Sequence, residues 1–180
     1  MNYNKLTSLV ANVEAIETAV NIHVQGRTAT TDEKEILSRY SGFGGIKEVL
    51  NIGTDNPVTD NMAEPLNRLE KALRTWTGED ETMYRTLVES IKASVLTAFY
   101  TPQFIVDAVA RQIHDTFQQN GLQMRSLLEP SAGIGGFLPV AMPGTHRYAF
   151  EKDCITGLIL SLLHDDTDTV TAGFETIGEQ

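Results

Sequence analysis

The sequence predicts an α/β protein in which a helical N-terminal region precedes a short parallel sheet. Through most of the first hundred residues, apolar side chains recur at three- and four-residue steps, which is the period of amphipathic helices. After residue 123, short apolar runs alternate with turns and one apolar helix, a pattern typical of parallel β–α–β units. We therefore divide the chain into a helical region, residues 1–97, and a sheet-containing domain, residues 98–180.

Composition restricts the class of protein. The chain has 180 residues and a single cysteine, Cys154, which rules out an internal disulfide and favours a reducing compartment. Its apolar runs fall short of the roughly 18 residues that a membrane helix needs, and its N-terminus lacks the apolar core of a signal peptide. We expect a cytoplasmic protein that does not associate with membranes.

Helix start and stop signals delimit four helices in the N-terminal region. The first ends at Gly26, and the second opens with a capping-box pattern, Thr30 followed by Glu33. The third ends at Gly78, and the acidic run 79–81 opens the fourth. A glycine-rich segment, residues 40–45, follows the second helix; by itself it is typical of a plain helix–helix connection.

The sheet-containing domain begins with a helix start. Thr101 is predicted as the N-cap and Pro102 as the first residue of a helix that runs to Gly121. The pair needs no function, because Thr-Pro is a good helix start. Free backbone amides at such a start also suit a carboxylate ligand.

A strand, a glycine-rich turn and a helix are predicted next. The apolar run 124–128 predicts a buried strand that ends in Glu129, and Phe137 begins the predicted helix. Glycines at 133, 135 and 136 permit positive φ and close approach of a ligand. Many turns of this kind bind nothing.

The turn matches neither common phosphate-binding motif. A dinucleotide site would need Gly or Ala at position 138, where Leu138 stands, and no Lys-Ser or Lys-Thr pair follows the glycines. A site for an adenosine-like ligand without a pyrophosphate remains.

The second predicted strand, residues 147–150, ends in Glu151, 22 positions after Glu129. A carboxylate at this spacing is where ribose hydroxyls are held in nucleotide-binding sheets, although an exposed strand-end glutamate is the plain alternative. An apolar helix, residues 155–163, and a third strand, residues 169–172, complete the domain.

Three ordered segments resemble the opening motifs of adenine-N6 DNA methyltransferases. They are Ala98-Phe99-Tyr100-Thr101-Pro102, Leu128-Glu129-Pro130-Ser131-Ala132-Gly133-Ile134-Gly135-Gly136-Phe137 and Phe150-Glu151-Lys152-Asp153. The segment 40–45 resembles the N-terminal part of large bacterial proteins of mobile elements and phages that join such a methylase to a helicase. The resemblance covers residues 32–50 and 96–178.

The resemblance implies the first part of a Rossmann-like sheet that binds S-adenosyl-L-methionine. Thr101 would lie by the cofactor's carboxylate, Glu129 by its ammonium end and Glu151 by its ribose, while Glu175 would contact the adenine ring. The full set of implied cofactor-binding residues is Tyr100, Thr101, Glu129, Ser131, Ala132, Gly133, Gly135, Glu151, Lys152 and Glu175.

One departure from the family concerns catalysis. The family's Asn-Pro-aromatic motif, which holds a flipped-out adenine, does not occur in this sequence, so no catalytic residue is assigned. We expect the cofactor-binding portion of a DNA adenine-N6 methyltransferase of restriction-modification or mobile-element type, inactive alone, whose DNA contacts and possible helicase region lie elsewhere in a parent protein. The alternatives are a non-catalytic module that binds adenosine compounds and a protein-docking module.

The charge balance predicts that this chain binds duplex DNA poorly. The formal charge is −10, and acidic residues outnumber basic ones by 14 to 10 in the first hundred residues and by 10 to 4 in the last eighty. Without a basic patch, counterion release gives little driving force for association. An electrophoretic shift at low micromolar protein in moderate salt would contradict this prediction.

Overall fold

The computed structural model describes residues 4–56 and 58–179, which divide into two compact units between Phe99 and Tyr100. The predicted boundary, between residues 97 and 98, lies two residues before this division. The described residues form six α-helices and one three-stranded parallel sheet, so the protein is of mixed α/β class. None of the described helices is both long and apolar enough to cross a membrane.

The first unit is helical and the second contains the sheet. The helices of the first unit are α1 Lys5–Gln25, α2 Thr31–Leu37, α3 Ala63–Thr77 and α4 Glu81–Thr97, with a 3₁₀ turn Lys47–Asn51. The second unit contains α5 Gln103–Gln119, β1 Ser126–Glu129, β2 His146–Phe150, α6 Cys154–Leu163 and β3 Asp168–Val170, with 3₁₀ turns Leu138–Val140 and Phe174–Glu179.

Local chemistry sets the helix ends of the first unit, and most of the predicted signals are confirmed. The Thr30 side chain accepts a hydrogen bond from the Glu33 amide, and the Glu33 carboxylate accepts one from the Thr30 amide, so the capping box is complete. Gly26 ends α1 with a φ of 61°, and Asp80 caps α4 by accepting from the Met83 amide. These ends are fixed by residues three or four positions apart in sequence.

Asn12, a buried polar residue of α1, holds the glycine-rich segment of the first unit. Its Nδ2 donates to the Gly42 carbonyl at 2.6 Å, and its Oδ1 accepts from the Ser41 amide at 2.8 Å. Gly45 then donates its amide to the Val95 carbonyl near the end of α4 at 3.0 Å. The segment 40–45 is therefore a packed connection that α1 and α4 hold in place.

The sheet of the second unit has the order β1-β2-β3 with all strands parallel. Its small core joins the glycine turn, the sheet and α6 through four buried residues, Ala132, Leu138, Ala149 and Leu160. The carboxyl ends of β1 and β2 are adjacent, because Glu129 pairs in register with Ala149. The two strand ends that carry the predicted carboxylates therefore meet at one edge.

The predicted helix after the glycine turn is wrong. Only the 3₁₀ turn Leu138–Val140 forms there, and Ala141 follows in an extended conformation. Proline disfavours helical geometry in the residue before it, and both Pro139 and Pro143 lie in this stretch. Too few residues remain between the glycines and the Pro143-Gly144 break for a stable α-helix.

We predict that Asn12→Ala destabilises the first unit by roughly 2–3 kcal/mol, because it leaves the buried Gly42 carbonyl and Ser41 amide without their partner. Urea unfolding followed by fluorescence of the single tryptophan, Trp76 in α3, measures the change. The exposed Asn21 of the same helix supplies a matched control, and Asn21→Ala should change stability little. Equal stability of the two variants would contradict the role given to Asn12.

Candidate functional site

The site predicted from the sequence lies at the carboxyl edge of the sheet. Glu129 is the last residue of β1, and Glu151 follows directly after β2. The glycine turn folds over the tip of β2, since the Ala132 amide donates to the Phe150 carbonyl at 2.9 Å. Both carboxylates hold this turn, one from each side.

Glu151 fixes the first half of the turn. Its Oε2 accepts from the Gly133 amide and its Oε1 from the Asp153 amide, both at 2.8 Å. Burial raises the pKa of Glu151, and these backbone hydrogen bonds oppose the rise. Each carboxylate oxygen has a second lone pair, so the group retains acceptor capacity for a ligand hydroxyl.

Glu129 fixes the second half of the turn but is not fully satisfied. Its Oε1 accepts from the Phe137 amide at 3.2 Å, whereas Oε2 is buried and has no hydrogen-bond partner among the described residues. The residue is only 8% exposed. Burial raises its pKa to about 7, and the nearby Glu151 carboxylate adds to the rise. This buried oxygen is suited to accept a hydrogen bond from a cationic or neutral donor.

The glycines of the turn adopt the predicted left-handed conformations, with φ of 57° at Gly133 and 85° at Gly135. Side chains of the protein occupy the space beside both. A Cβ on Gly133 would lie 2.3 Å from Cε1 of Tyr100, and one on Gly135 would lie 2.6 Å from Nε2 of His164. Only Gly136 faces open space among the three.

Thr101 does not cap α5, so that part of the prediction is wrong. Pro102 is the N-cap, and its carbonyl accepts from the Ile105 amide at 2.9 Å. Proline disfavours the helical conformation in the residue before it, which keeps Thr101 outside the helix. Thr101 is exposed and lies two positions before Gln103, the first residue of α5.

The remaining predicted site residues differ in their surroundings. Ser131 is exposed and Ala132 is buried in the small core. Lys152 and Glu175 are highly exposed and form an ion pair at 3.6 Å. Hydrogen bonding to its own backbone and the charge of Lys152 lower the pKa of Glu175. An exposed pair of this kind adds little to stability.

An apolar cavity of about 350 Å³, which sequence reasoning missed, adjoins Glu129. Residues of α5 and β1 and the 3₁₀ turn line it, among them Val109, Ile113, Leu127, Leu128, Phe137 and Val140. The apolar face of α5 is typical of core packing, yet Val106 is the only residue of that helix buried in the described structure. Asp153, which caps α6 through the Thr156 amide, was also missed, although Asp-x-x-Thr is a recognisable cap pattern.

No family model matches the chain. No solved structure matches it either. Over 165 residues the chain is 24% identical to the Defense against restriction protein B of Escherichia phage P1, an alignment that covers 92% of this chain and 5% of that protein. The chain thus corresponds to about one twentieth of the length of this relative.

The assignment to the adenine-N6 DNA methyltransferase family is wrong. The relative that was found is a restriction-defence protein and not a methyltransferase, and no model of a methyltransferase family matches. The motifs behind the assignment are short, and a glycine turn after a strand is common to many α/β proteins. What the comparison supports is a distant relation to a phage protein of restriction defence.

We predict that the unfolding free energy contains a pH-dependent contribution from Glu129. The native pKa, about 7, exceeds the ordinary value of a glutamate, 4.5, so the native state holds the proton more tightly than the unfolded state does. The contribution is fully present below pH 4.5 and is lost as pH rises towards 7, by roughly 1–3 kcal/mol. Glu129→Gln should remove it.

Urea unfolding of the wild type and Glu129→Gln, followed by circular dichroism at several pH values between 4.5 and 7.5, measures this contribution. Asp115→Asn, on the exposed side of α5, is the control and should keep the wild-type pH dependence. Parallel stability curves for wild type and Glu129→Gln would show that Glu129 titrates near its unperturbed pKa.

Proposed function

We propose that the second unit binds S-adenosyl-L-methionine and serves as the cofactor-binding portion of a protein that methylates DNA. The observation that carries this proposal is the pair of carboxylates, buried Glu129 and half-buried Glu151, that hold a glycine turn at the carboxyl edge of a parallel sheet. Ligands of open α/β sheets bind at this edge, where the strand ends and their connections form a crevice.

Glu151 is suited to the ribose of such a ligand. Its oxygens lie at the end of the strand after the glycine turn, and the second lone pair of each is available for a hydroxyl donor. The ribose of S-adenosyl-L-methionine carries two free hydroxyls and no phosphate. A phosphorylated ribose would place negative charge beside a carboxylate, which disfavours that class of nucleotide.

Glu129 is suited to the cationic part of the ligand. S-adenosyl-L-methionine carries a positive sulfonium and a positive ammonium, and the buried Oε2 of Glu129 offers an unused acceptor. A cation beside Glu129 would lower its raised pKa, because opposite charge favours the ionised carboxylate. Binding should then become stronger as pH rises from about 5 to 7 and should release a proton.

The relative's name supports the biological setting. Defense against restriction protein B acts, by that name, against restriction, and methylation of bases is a chemical change that can block recognition of DNA. In this setting we propose that the second unit is part of a Rossmann-like sheet that binds the cofactor. DNA contacts and any helicase region would lie in other parts of a longer protein. The sequence offers no Asn-Pro-aromatic motif, so we expect the chain alone to bind the cofactor without transferring its methyl group.

A second candidate is a non-catalytic module that binds an adenosine compound. It is favoured by one observation: both oxygens of Glu151 already accept backbone amides, Oε2 from Gly133 in the glycine turn and Oε1 from Asp153. In that case the main role of the carboxylates would be to stabilise the glycine turn, and contact with the ligand would be secondary. The two candidates share the ligand class and differ in whether a longer protein containing this chain transfers the methyl group.

Calorimetric titration tests the proposed ligand. We expect S-adenosyl-L-methionine and its demethylated product to bind and NAD not to bind. Glu151→Ala should weaken binding by roughly 1–3 kcal/mol, because a charge-assisted hydrogen bond is lost and the glycine turn is released. Asp168→Ala, an exposed acidic residue at the opposite end of the sheet, is the matched control and should bind normally.

Two outcomes would contradict the proposal. Tighter binding of NAD than of S-adenosyl-L-methionine would show that the proposed ligand class is wrong. Equal loss of affinity in Glu151→Ala and Asp168→Ala would mean that total charge, and not the carboxyl edge of the sheet, controls binding. Circular dichroism of each variant checks that the fold is retained.

A further inference from the structure

Tyr100, the first residue of the second unit, lies across the site described above. A Cβ built on Gly133 would lie 2.3 Å from its Cε1 and 3.1 Å from its Cδ1, so the ring rests directly against the glycine. The hydroxyl lies within hydrogen-bonding range of the Thr156 side chain at the start of α6. Tyr100 therefore spans the crevice from the glycine turn to α6.

The hydroxyl end of Tyr100 is enclosed although 37% of the residue is exposed. Burial is the main cause that raises the pKa of the Tyr100 hydroxyl, and the nearby Glu151 and Asp153 carboxylates act in the same direction. The hydroxyl therefore lies close enough to Glu151, the carboxylate that the proposed function assigns to the ribose, to be affected by its charge.

A ligand and the Tyr100 ring cannot both occupy the space beside Gly133. The glycine presents a bare Cα there, and a ligand that approaches it must pass within van der Waals distance of the atoms that Tyr100 now contacts. In the described conformation the Tyr100 ring therefore occupies the place beside Gly133 that a ligand would need.

We propose that Tyr100 is an autoinhibitory gate of the ligand crevice, which must leave Gly133 before an adenosine-containing ligand can bind. The inference rests on the proposed function, since it concerns access to the same site. It assigns to Tyr100 the role of excluding ligand in the closed state, a role that the glycine turn and Glu151 do not have.

The backbone around Tyr100 permits such a movement. Residues 98–102 form neither helix nor strand, so the ring can move without breaking a sheet ladder or a helix. Pro102 fixes the start of α5 on one side, and α4 ends at Thr97 on the other. The moving part is thus confined to a short connection between two helices.

The gate predicts a characteristic effect on affinity. When only a fraction of molecules is open, the apparent dissociation constant is the intrinsic one divided by that fraction. Removing the ring should therefore tighten binding, whereas removing a residue that contacts the ligand should weaken it. If about a tenth of the molecules are open, Tyr100→Ala should bind about tenfold more tightly and associate faster.

The test is titration of S-adenosyl-L-methionine into the wild-type chain, Tyr100→Ala and Tyr100→Phe, with association rates from stopped-flow measurements. Tyr100→Phe keeps the ring but loses the hydroxyl contact with Thr156, so we expect a smaller gain, about two- to threefold. Tyr148→Phe, which removes the hydroxyl of another partly exposed tyrosine on β2, is the matched control and should leave binding unchanged. If Tyr100→Ala does not fold, the affinities of Tyr100→Phe and Tyr148→Phe for S-adenosyl-L-methionine still test the gate.

The outcomes separate the gate from the proposed function. Tighter binding by Tyr100→Ala, or by Tyr100→Phe alone if the first variant is unfolded, supports the gate. Unchanged or weaker binding by the folded Tyr100 variants, with a wild type that binds, overturns the gate and leaves the proposed function standing. Absence of binding in the wild type and in every folded variant overturns both.

Discussion

The candidate site depends on hydrogen bonds between backbone amides and the carboxylates at two adjacent strand ends. Glu151 accepts from Gly133 and Glu129 accepts from Phe137, so each half of the glycine turn is fastened to a different strand. Parallel pairing brings the two strand ends together, and the positive φ of the glycines lets the turn fold back over them. Without either carboxylate, the turn would lose one of its two hydrogen bonds to a strand-end glutamate.

The pair of strand-end carboxylates that suits a cationic ligand also costs fold stability, because the carboxylates lie where water solvates them poorly. Burial raises the pKa of both carboxylates; the charge of Glu151 adds to the rise at Glu129, and the charge of Asp153 adds to the rise at Glu151. A positively charged ligand would lower both pKa values, whereas an anionic one would raise them further. For the ligand class proposed above, this charge balance favours a cationic compound over an anionic nucleotide.

Near neighbours in the sequence predicted most helix ends, except where an adjacent proline changed the outcome, and contacts between residues distant in the chain could not be predicted. The Thr30 capping box and the Gly26 helix end are confirmed because their partners lie within one helical turn. The Thr101 cap and the helix after the glycine turn are wrong because prolines shift or prevent helices. The contact of Tyr100 with Gly133, 33 positions along the chain, leaves no periodic signal in the sequence. The family assignment failed for a related reason, since short motifs describe a turn and not a whole protein.

A structural role accounts fully for one of the two carboxylates, Glu151, and only partly for the other, Glu129. Both oxygens of Glu151 have backbone partners, so a purely structural role accounts for that residue. Glu129 has one oxygen without a partner among the described residues, and a buried unsatisfied acceptor costs about 1–3 kcal/mol. A glutamine at this position could hold the Phe137 amide through its own carbonyl oxygen without burying a charge. Holding the turn does not account for the unpartnered oxygen of Glu129, and the cationic ligand proposed above would give it a partner.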